Sequence, residues 1–321
     1  SSRRGVALSI DRHAGIYEPK GYFFPPVRLP TFFRDVPRVL QFFSVLCCLF
    51  VVFTDEAPVS YTITLHCPNA SMTYCLAIQL DEGLVFCSDS RTNAGADRVS
   101  TYSKMHRFSV ANDRSLYLLT SGNLATSQAV VAHIQRDLEE DAEFNISKAK
   151  YVTEVADYVG EVSSQAQAKY KKVGGPDAES FDASATFILG GQIAGGPSEL
   201  YLIYPEGNHI TASEQHPYLQ IGETKYGKPI LDRIISHDTS ADTAMRCAIL
   251  SLDSTMRSNA TVGPPLECLF YRNDSIQPYE RYCKLAENHP YLIEIRQDWD
   301  RSIRQAVERL PSLSAAFEDN P

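Results

Sequence analysis

The sequence lacks the patterns by which metal-binding and nucleic-acid-binding proteins are usually identified. Its 8 cysteines include no CxxC pair and no Cys or His cluster at zinc-ligand spacing, and its 8 histidines are scattered without a paired spacing. We therefore expect no metal ligand, no catalytic histidine and no cofactor. Positive charge is also scarce, with 30 Lys or Arg against 39 Asp or Glu. No basic stripe interleaved with aromatic residues occurs, which argues against a nucleic-acid partner.

A membrane-spanning run is missing as well. The longest apolar segment, residues 39–53, has 15 residues, whereas a helix needs roughly 20 to cross a bilayer. It has the length of a signal-peptide core, and Arg34 and Arg38 precede it. Most cysteines lie inside apolar segments, which favours buried free thiols in a reducing cytosol over a disulfide framework. We expect a cytoplasmic protein without a membrane association of its mature domain.

Residues 1–71 differ in composition from the rest of the chain. They hold 7 of the 18 prolines and 8 of the 15 phenylalanines, without an amphipathic period. Three explanations stay open: translation upstream of a true start at Met72, a signal or anchor, and a removable propeptide. The first is favoured. The predicted division is therefore 1–71, outside the mature protein, and 72–321, the functional domain.

The stretch 72–91, MTYCLAIQLDEGLVFCSDSR, predicts a β-hairpin. Alternating strand character runs from Thr73 to Leu80, the residues DEG supply turn chemistry, and a second strand returns to Asp89. With the turn centred near Glu82, Asp89 falls opposite Cys75. The hairpin thus brings a hydroxyl and a carboxylate to one end, which suggests a catalytic pair if Thr73 is the first residue of the mature protein.

The remaining chain has the texture of an α+β domain. We predict helices at about 124–140, 148–171, 226–236, 241–256 and 291–310, and further strands at about 99–110, 115–120, 184–189, 199–204, 209–213, 219–224, 266–271 and 277–285. Two antiparallel sheets packed face to face, with helical layers outside, satisfy this order.

Several motifs in this order resemble one known family. They are MTYCLAIQLDEGLVFCSDSRTNAG, SKM, LLTSGNLA, FILGGQ and LQIGETKYGKPILDR. Together they resemble Anbu, the bacterial proteasome-like relatives of proteasome β-subunits, over residues 72–311. The resemblance implies the N-terminal-nucleophile hydrolase fold, a four-layer αββα sandwich of two antiparallel sheets flanked by helices. It also implies self-assembly into a ring or spiral, and a peptide or unfolded-protein substrate.

The resemblance further implies a threonine-type peptidase. Loss of Met72 would expose Thr73 as both nucleophile and α-amine. Thr73 Oγ would attack the carbonyl, Asp89 would hold the Lys104 ammonium near it, and the Gly122 backbone N–H would bind the oxyanion. The α-amine would carry the proton, and water would release the acyl-enzyme.

The chain departs from the proteasome pattern around the α-amine. Proteasome β-subunits have a Ser, and later an Asp and a Ser, that support this amine. Here IGETK offers Glu223 and Thr224, and RSNATVG offers Ser258 and Thr261 without a carboxylate. The predicted site does not include Glu223. This departure keeps two alternatives open: a catalytically weak peptide-binding or scaffold assembly, and an amidase of the same fold acting on a small substrate.

Overall fold

The structure is a computed structural model. It describes residues 73–93, 99–110, 112–173, 182–277, 281–314 and 317, together with four short strands before residue 51. The chain divides into two compact units, Ser1–Ala70 and Ser71–Pro321. In the first unit, β1 (Ser9–Asp11) pairs with β2 (Gly15–Tyr17), and β3 (Gln41–Ser44) pairs with β4 (Cys47–Phe50). The three explanations for residues 1–71 stay predictions.

The second unit contains two five-stranded sheets and five helices among the residues described. Its strands are β5 (Tyr74–Leu80), β6 (Gly83–Ser88), β7 (Arg91–Asn93), β8 (Val99–Thr101), β9 (Met105–Val110), β10 (Arg114–Gly122), β11 (Ala185–Ile193), β12 (Glu199–Ile203), β13 (His209–Thr211), β14 (Tyr218–Gly222), β15 (Leu266–Arg272) and β16 (Arg281–Leu285). Its helices are α1 (Leu124–Glu139), α2 (Val152–Val173), α3 (Lys228–Ile234), α4 (Ala241–Ser258) and α5 (Pro290–Glu308). The first sheet has the order β13-β12-β11-β10-β9, and the second has the order β14-β5-β6-β15-β16.

The two sheets pack face to face through an apolar layer. Ala77 and Phe86 of the second sheet share one buried cluster with Tyr117 and Ile188 of the first. The ring centroids of Phe86 and Tyr117 lie 4.9 Å apart. Burying a side chain as large as Phe86 stabilises the fold by about 1.5–3 kcal/mol. The alternation along β5 supports this packing, since Cys75 and Ala77 face the other sheet.

Helices cover the outer faces of both sheets. Val130 of α1 and Val155 of α2 pack with Leu118 on the first sheet, and Leu252 of α4 packs with Leu76 on the second. The order of layers is helix, sheet, sheet, helix. The predicted αββα sandwich is therefore confirmed.

Several boundaries differ from the sequence prediction, among them those of β11, of α2 and of the region 99–110. Strand β11 continues through Gly190 to Ile193, and residue 190 is glycine because the side chains of Leu200 and Phe86 occupy the place where a Cβ would lie. Helix α2 begins at Val152 instead of residue 148, because the buried Arg114 guanidinium binds backbone carbonyls in the turn just before the helix.

The third difference concerns the region predicted as a strand pair at 99–110. It forms two separate strands: β8 pairs with β7, and β9 pairs with β10. Lys104 therefore lies in the connection between β8 and β9 and not within a strand. The predicted turns at 93–96 and 174–176 fall largely outside the described residues.

Candidate active site

The hairpin formed by β5 and β6 places Asp89 beside the start of β5. Its register pairs Leu80 with Gly83 and Cys75 with Ser88. The Asp89 backbone N–H then donates to the Tyr74 carbonyl at 3.2 Å. The predicted pairing of Asp89 with Cys75 is thus wrong by one residue, because the two-residue loop is centred between Asp81 and Glu82. The correction moves Asp89 closer to Thr73.

Asp89 forms a buried ion pair with Lys104. The distance from Lys104 Nζ to Asp89 Oδ1 is 2.6 Å, and the two side chains are 8% and 0% exposed. The same Oδ1 accepts the backbone N–H of Tyr74 at 3.1 Å. Oδ2 accepts the backbone N–H groups of Arg91 at 3.2 Å and Gly263 at 3.1 Å. One carboxylate therefore joins the ammonium to the peptide group that follows Thr73.

Burial and hydrogen bonding act on Asp89 in opposite directions. Burial raises the pKa of its carboxyl, whereas the Lys104 ammonium and the backbone N–H groups of Tyr74 and Gly263 favour the ionised form. With an ammonium 2.6 Å away and three N–H donors, this geometry is built for a carboxylate.

Hydrogen bonds hold both the backbone and the side chain of Lys104. Its carbonyl accepts the Thr120 N–H at 3.0 Å, immediately before β9 pairs with β10. Its Nζ also donates to the Arg91 carbonyl at 2.7 Å. The side chain is therefore held by two acceptors that both belong to the segment after β6.

Gly122 ends β10 directly before helix α1. Its φ is +98°, and a Cβ there would lie 2.5 Å from the Ser184 carbonyl oxygen. Asn123 is the N-cap of α1 and accepts the Thr126 N–H. The Cys75 thiol donates to the Thr120 carbonyl at 3.7 Å and so links β5 to β10 two residues before Gly122. Gly122 thus ends a strand of the first sheet, whereas Asp89 follows β6 of the second sheet.

Thr73 lies just before β5 and is 6% exposed. Its carbonyl accepts the Glu223 N–H at 2.8 Å, continuing the pairing of β14 with β5. The Glu223 carboxylate accepts from Asn259 Nδ2 at 3.1 Å and lies 3.5 Å from Lys225 Nζ. Sequence reasoning noticed IGETK but left Glu223 out of the site. The structure places this residue beside Thr73.

Sequence reasoning missed a second buried carboxylate altogether. Glu267 is 2% exposed and accepts the hydroxyl protons of Ser90 and Ser103, which adjoin Asp89 and Lys104 in the sequence. The pattern of polar and apolar residues in β15 does not indicate a buried acid, because both faces of this strand are buried.

Other features of the site bear on its chemistry. Within the part of the chain that the structure describes, no group of three or more His, Cys, Asp or Glu could hold a metal ion. Cys75 is a free, buried thiol, and burial raises its pKa strongly, so it is not a ready nucleophile.

None of the helices described is long and apolar enough to span a bilayer.

The four-layer fold is that of the N-terminal-nucleophile hydrolases, and the comparisons with known proteins narrow this class. Residues 71–269 match the family described as Proteasome subunit. Anbu from Yersinia bercovieri is 42% identical, with a TM-score of 0.70, over 75% of this chain and 99% of its own. The helical assembly of the Anbu complex from Pseudomonas aeruginosa is 44% identical, with a TM-score of 0.71, over 76% of this chain and 100% of its own.

A third structure, Anbu from Hyphomicrobium sp. strain MC1, is 36% identical, with a TM-score of 0.67, over 75% of this chain and 99% of its own. No curated protein matches the chain. The chain belongs to the proteasome family of peptidases, and within that family to the Anbu proteins.

Proposed function

We propose that the chain is a threonine-type endopeptidase that acts from a processed N-terminal Thr73. The observation that carries the proposal is the Asp89 carboxylate, which contacts both the Lys104 ammonium and the Tyr74 N–H directly after Thr73. A threonine hydroxyl is a weak nucleophile at neutral pH and needs a base within reach. This cluster lies at the one threonine whose own α-amine could act as that base.

The mechanism begins with a neutral Thr73 α-amine, whose unperturbed pKa is about 7.7–8.0. The Thr73 hydroxyl attacks the scissile carbonyl while the amine takes its proton. The Lys104 ammonium, held by Asp89, stabilises the negative charge that develops. The Gly122 N–H donates to the oxyanion, a contribution of about 3 kcal/mol per donor in comparable enzymes. The amine then protonates the leaving group, and water hydrolyses the ester on Thr73.

The proposal requires that the bond between Met72 and Thr73 be absent from the active protein. In this arrangement residues 1–71 do not belong to the mature chain. The division of the chain into compact units after Ala70, and the start of the family match at residue 71, support a functional domain that begins here. Free buried cysteines such as Cys87 and Cys247 are compatible with a reducing cytoplasm.

We also propose self-assembly into a ring or spiral through the helical layers. One Anbu relative is described as a helical assembly. On this chain, Ile303 and Val307 of α5 and Leu310 beyond it are 43%, 61% and 66% exposed. Ile303 and Val307 are four residues apart and therefore lie on one side of α5. Light scattering after size-exclusion chromatography tests this, and a monomer at micromolar concentration contradicts it.

The experiment that tests the catalytic proposal combines intact mass, N-terminal sequencing and covalent labelling. We expect the natively expressed protein to begin at Thr73 and to react once with a Thr-directed electrophile. Thr73→Ala abolishes both labelling and hydrolysis of short peptide amides, whereas Thr73→Ser, which keeps a hydroxyl, retains part of each. A terminus before Met72 in the active protein, or full activity of Thr73→Ala, refutes the mechanism.

The second candidate function is a peptide-binding scaffold with a weak site. It is favoured by the region 257–263, which brings no carboxylate to the α-amine, while the Glu223 carboxylate is already engaged with Asn259. A processed N-terminus that binds peptides but is never acylated supports this candidate. Turnover of small amides in preference to peptides would instead indicate an amidase.

A further inference from the structure

The buried carboxylate of Glu267 has no part in the mechanism above, yet it accepts hydrogen bonds from three side-chain hydroxyl groups. Its Oε1 accepts from Ser90 Oγ at 3.3 Å, and its Oε2 accepts from Ser103 Oγ at 3.1 Å and from Tyr282 Oη at 2.9 Å. Arg107 lies 3.9 Å from Oε2 and Lys284 lies 3.6 Å from Oε1. These donors and cations offset the cost of burying the charge.

Two of the three hydroxyls belong to the segments that carry the ion pair. Ser90 directly follows Asp89, and Ser103 directly precedes Lys104. These segments also touch each other, since the Tyr102 N–H donates to the Ser90 carbonyl at 2.8 Å. Glu267 thus forms hydrogen bonds to both segments whose side chains meet in the Asp89–Lys104 pair.

Glu267 lies on an interior strand of the second sheet. It lies in β15, which is flanked by β6 and β16 in the second sheet, and it pairs with Ser88 of β6. Lys104, by contrast, lies in the connection between β8 and β9. A connecting segment has more conformational freedom than a central strand, so a fixed acceptor on the strand restricts it.

From this geometry we propose that Glu267 is a positioning residue for the Asp89–Lys104 pair, acting through the hydroxyls of Ser90 and Ser103. The proposal rests on the proposed function, since the pair matters to catalysis only there. It deepens that function by assigning a second carboxylate, on another strand, to the alignment of the ammonium. Misplacement of a catalytic group by about 1 Å can lower a rate 100-fold.

The test uses the natively expressed full chain and two variants that remove the same link from opposite ends. Glu267→Gln replaces the shared carboxylate, and the double variant Ser90→Ala with Ser103→Ala removes the donors. The matched control is Asp253→Asn, which removes another buried carboxylate, 3% exposed and bound by Arg257 and Arg296. Thermal unfolding of each protein shows how much stability is lost.

We expect both test variants to lower kcat for a fluorogenic peptide amide about 10- to 100-fold with KM within about twofold of wild type. Asp253→Asn lowers stability but leaves kcat within about twofold. An unchanged kcat in Glu267→Gln, or an equal loss in Asp253→Asn, overturns the proposal. If Glu267→Gln does not fold, the serine double variant decides by the same criteria.

A second readout needs no enzymatic activity. Competitive acetylation with acetic anhydride, followed by mass spectrometry, measures the reactivity of Lys104 relative to the exposed Lys148. We expect Lys104 to react severalfold faster in both test variants and unchanged in Asp253→Asn. Faster acetylation without hydrolysis by wild type refutes the proposed function alone. Hydrolysis by wild type, with neither kcat nor Lys104 reactivity altered by the variants, refutes the role of Glu267 alone.

Discussion

The replacement Asp89→Asn probes the ion pair on which the proposed mechanism depends. It removes the charge from a side chain that is 0% exposed and that receives four hydrogen bonds, one of them from Lys104 Nζ at 2.6 Å. The Lys104 ammonium, 8% exposed, keeps the Arg91 carbonyl at 2.7 Å but loses its counter-ion. Breaking a buried pair from one side costs about 3–5 kcal/mol.

The new amide group adds a second cost. Its NH2 group must face N–H groups that donated hydrogen bonds to the carboxylate. A buried donor without an acceptor costs about 1–3 kcal/mol. Because the two effects involve the same atoms, they do not add. We expect the free energy of unfolding to fall by about 3–5 kcal/mol in total.

Urea unfolding at fixed protein concentration and ionic strength measures this loss, with the m-value as a check on the denatured state. The double variant Asp89→Asn with Lys104→Met removes the uncompensated ammonium too. We expect it to be more stable than the sum of the single losses predicts, by about 1–3 kcal/mol. The control is Asp298→Asn, which breaks the exposed pair with Arg301 at 3.1 Å and costs about 0–1 kcal/mol.

A loss below about 1 kcal/mol for Asp89→Asn would refute the reasoning. Strict additivity with Lys104→Met would do the same, because coupled groups in contact deviate from additivity. Either result would mean that the two side chains are not a compensated buried pair.

Three further predictions concern neighbouring groups. Gly122→Ala lowers the free energy of unfolding by about 1–3 kcal/mol in urea and lowers kcat, because φ is +98° and a Cβ would lie 2.5 Å from a backbone carbonyl oxygen. Burial lowers the pKa of His106, so its stabilising contribution is present above about pH 6.5 and is lost as pH falls below it; His106→Gln should flatten the fall in Tm between about pH 7.5 and 5.5. If the Glu223 carboxylate acts on the proposed Thr73 α-amine, as the backbone pairing of these two residues suggests, Glu223→Gln lowers the pKa of the amine and shifts the rising limb of the activity profile to lower pH by about one unit.

Each of these predictions has its own control and contrary result. Gly195→Ala, at φ +81° with nothing within 4 Å of the added Cβ, separates backbone strain from steric conflict, and an equal loss at both glycines argues against the conflict at Gly122. An unchanged pH dependence of Tm in His106→Gln assigns that dependence to other groups. If the rising limb of the activity profile lies at the same pH in Glu223→Gln as in wild type, this carboxylate does not interact with the amine.

Local sequence was sufficient to predict the β5–β6 hairpin that carries the candidate site. Strands β5 and β6 are separated only by Asp81 and Glu82. Turn chemistry and alternation therefore predicted that Asp89 lies at the start of β5, with an error of one residue in the pairing register. The helices at α1 and α4 were also predictable, because apolar spacing and N-cap residues such as Asn123 and Ser240 act within a few residues.

The contacts that decide how the site is held came only from the tertiary structure. Glu223 reaches Thr73 through the pairing of β14 with β5, and Glu267 reaches Ser90 and Ser103 through the pairing of β15 with β6. Strands far apart in the chain pair because they bury apolar faces together, and that choice depends on the whole core. The sequence by itself therefore determined the family and the predicted nucleophile with its carboxylate, while long-range packing decided which further acids surround them.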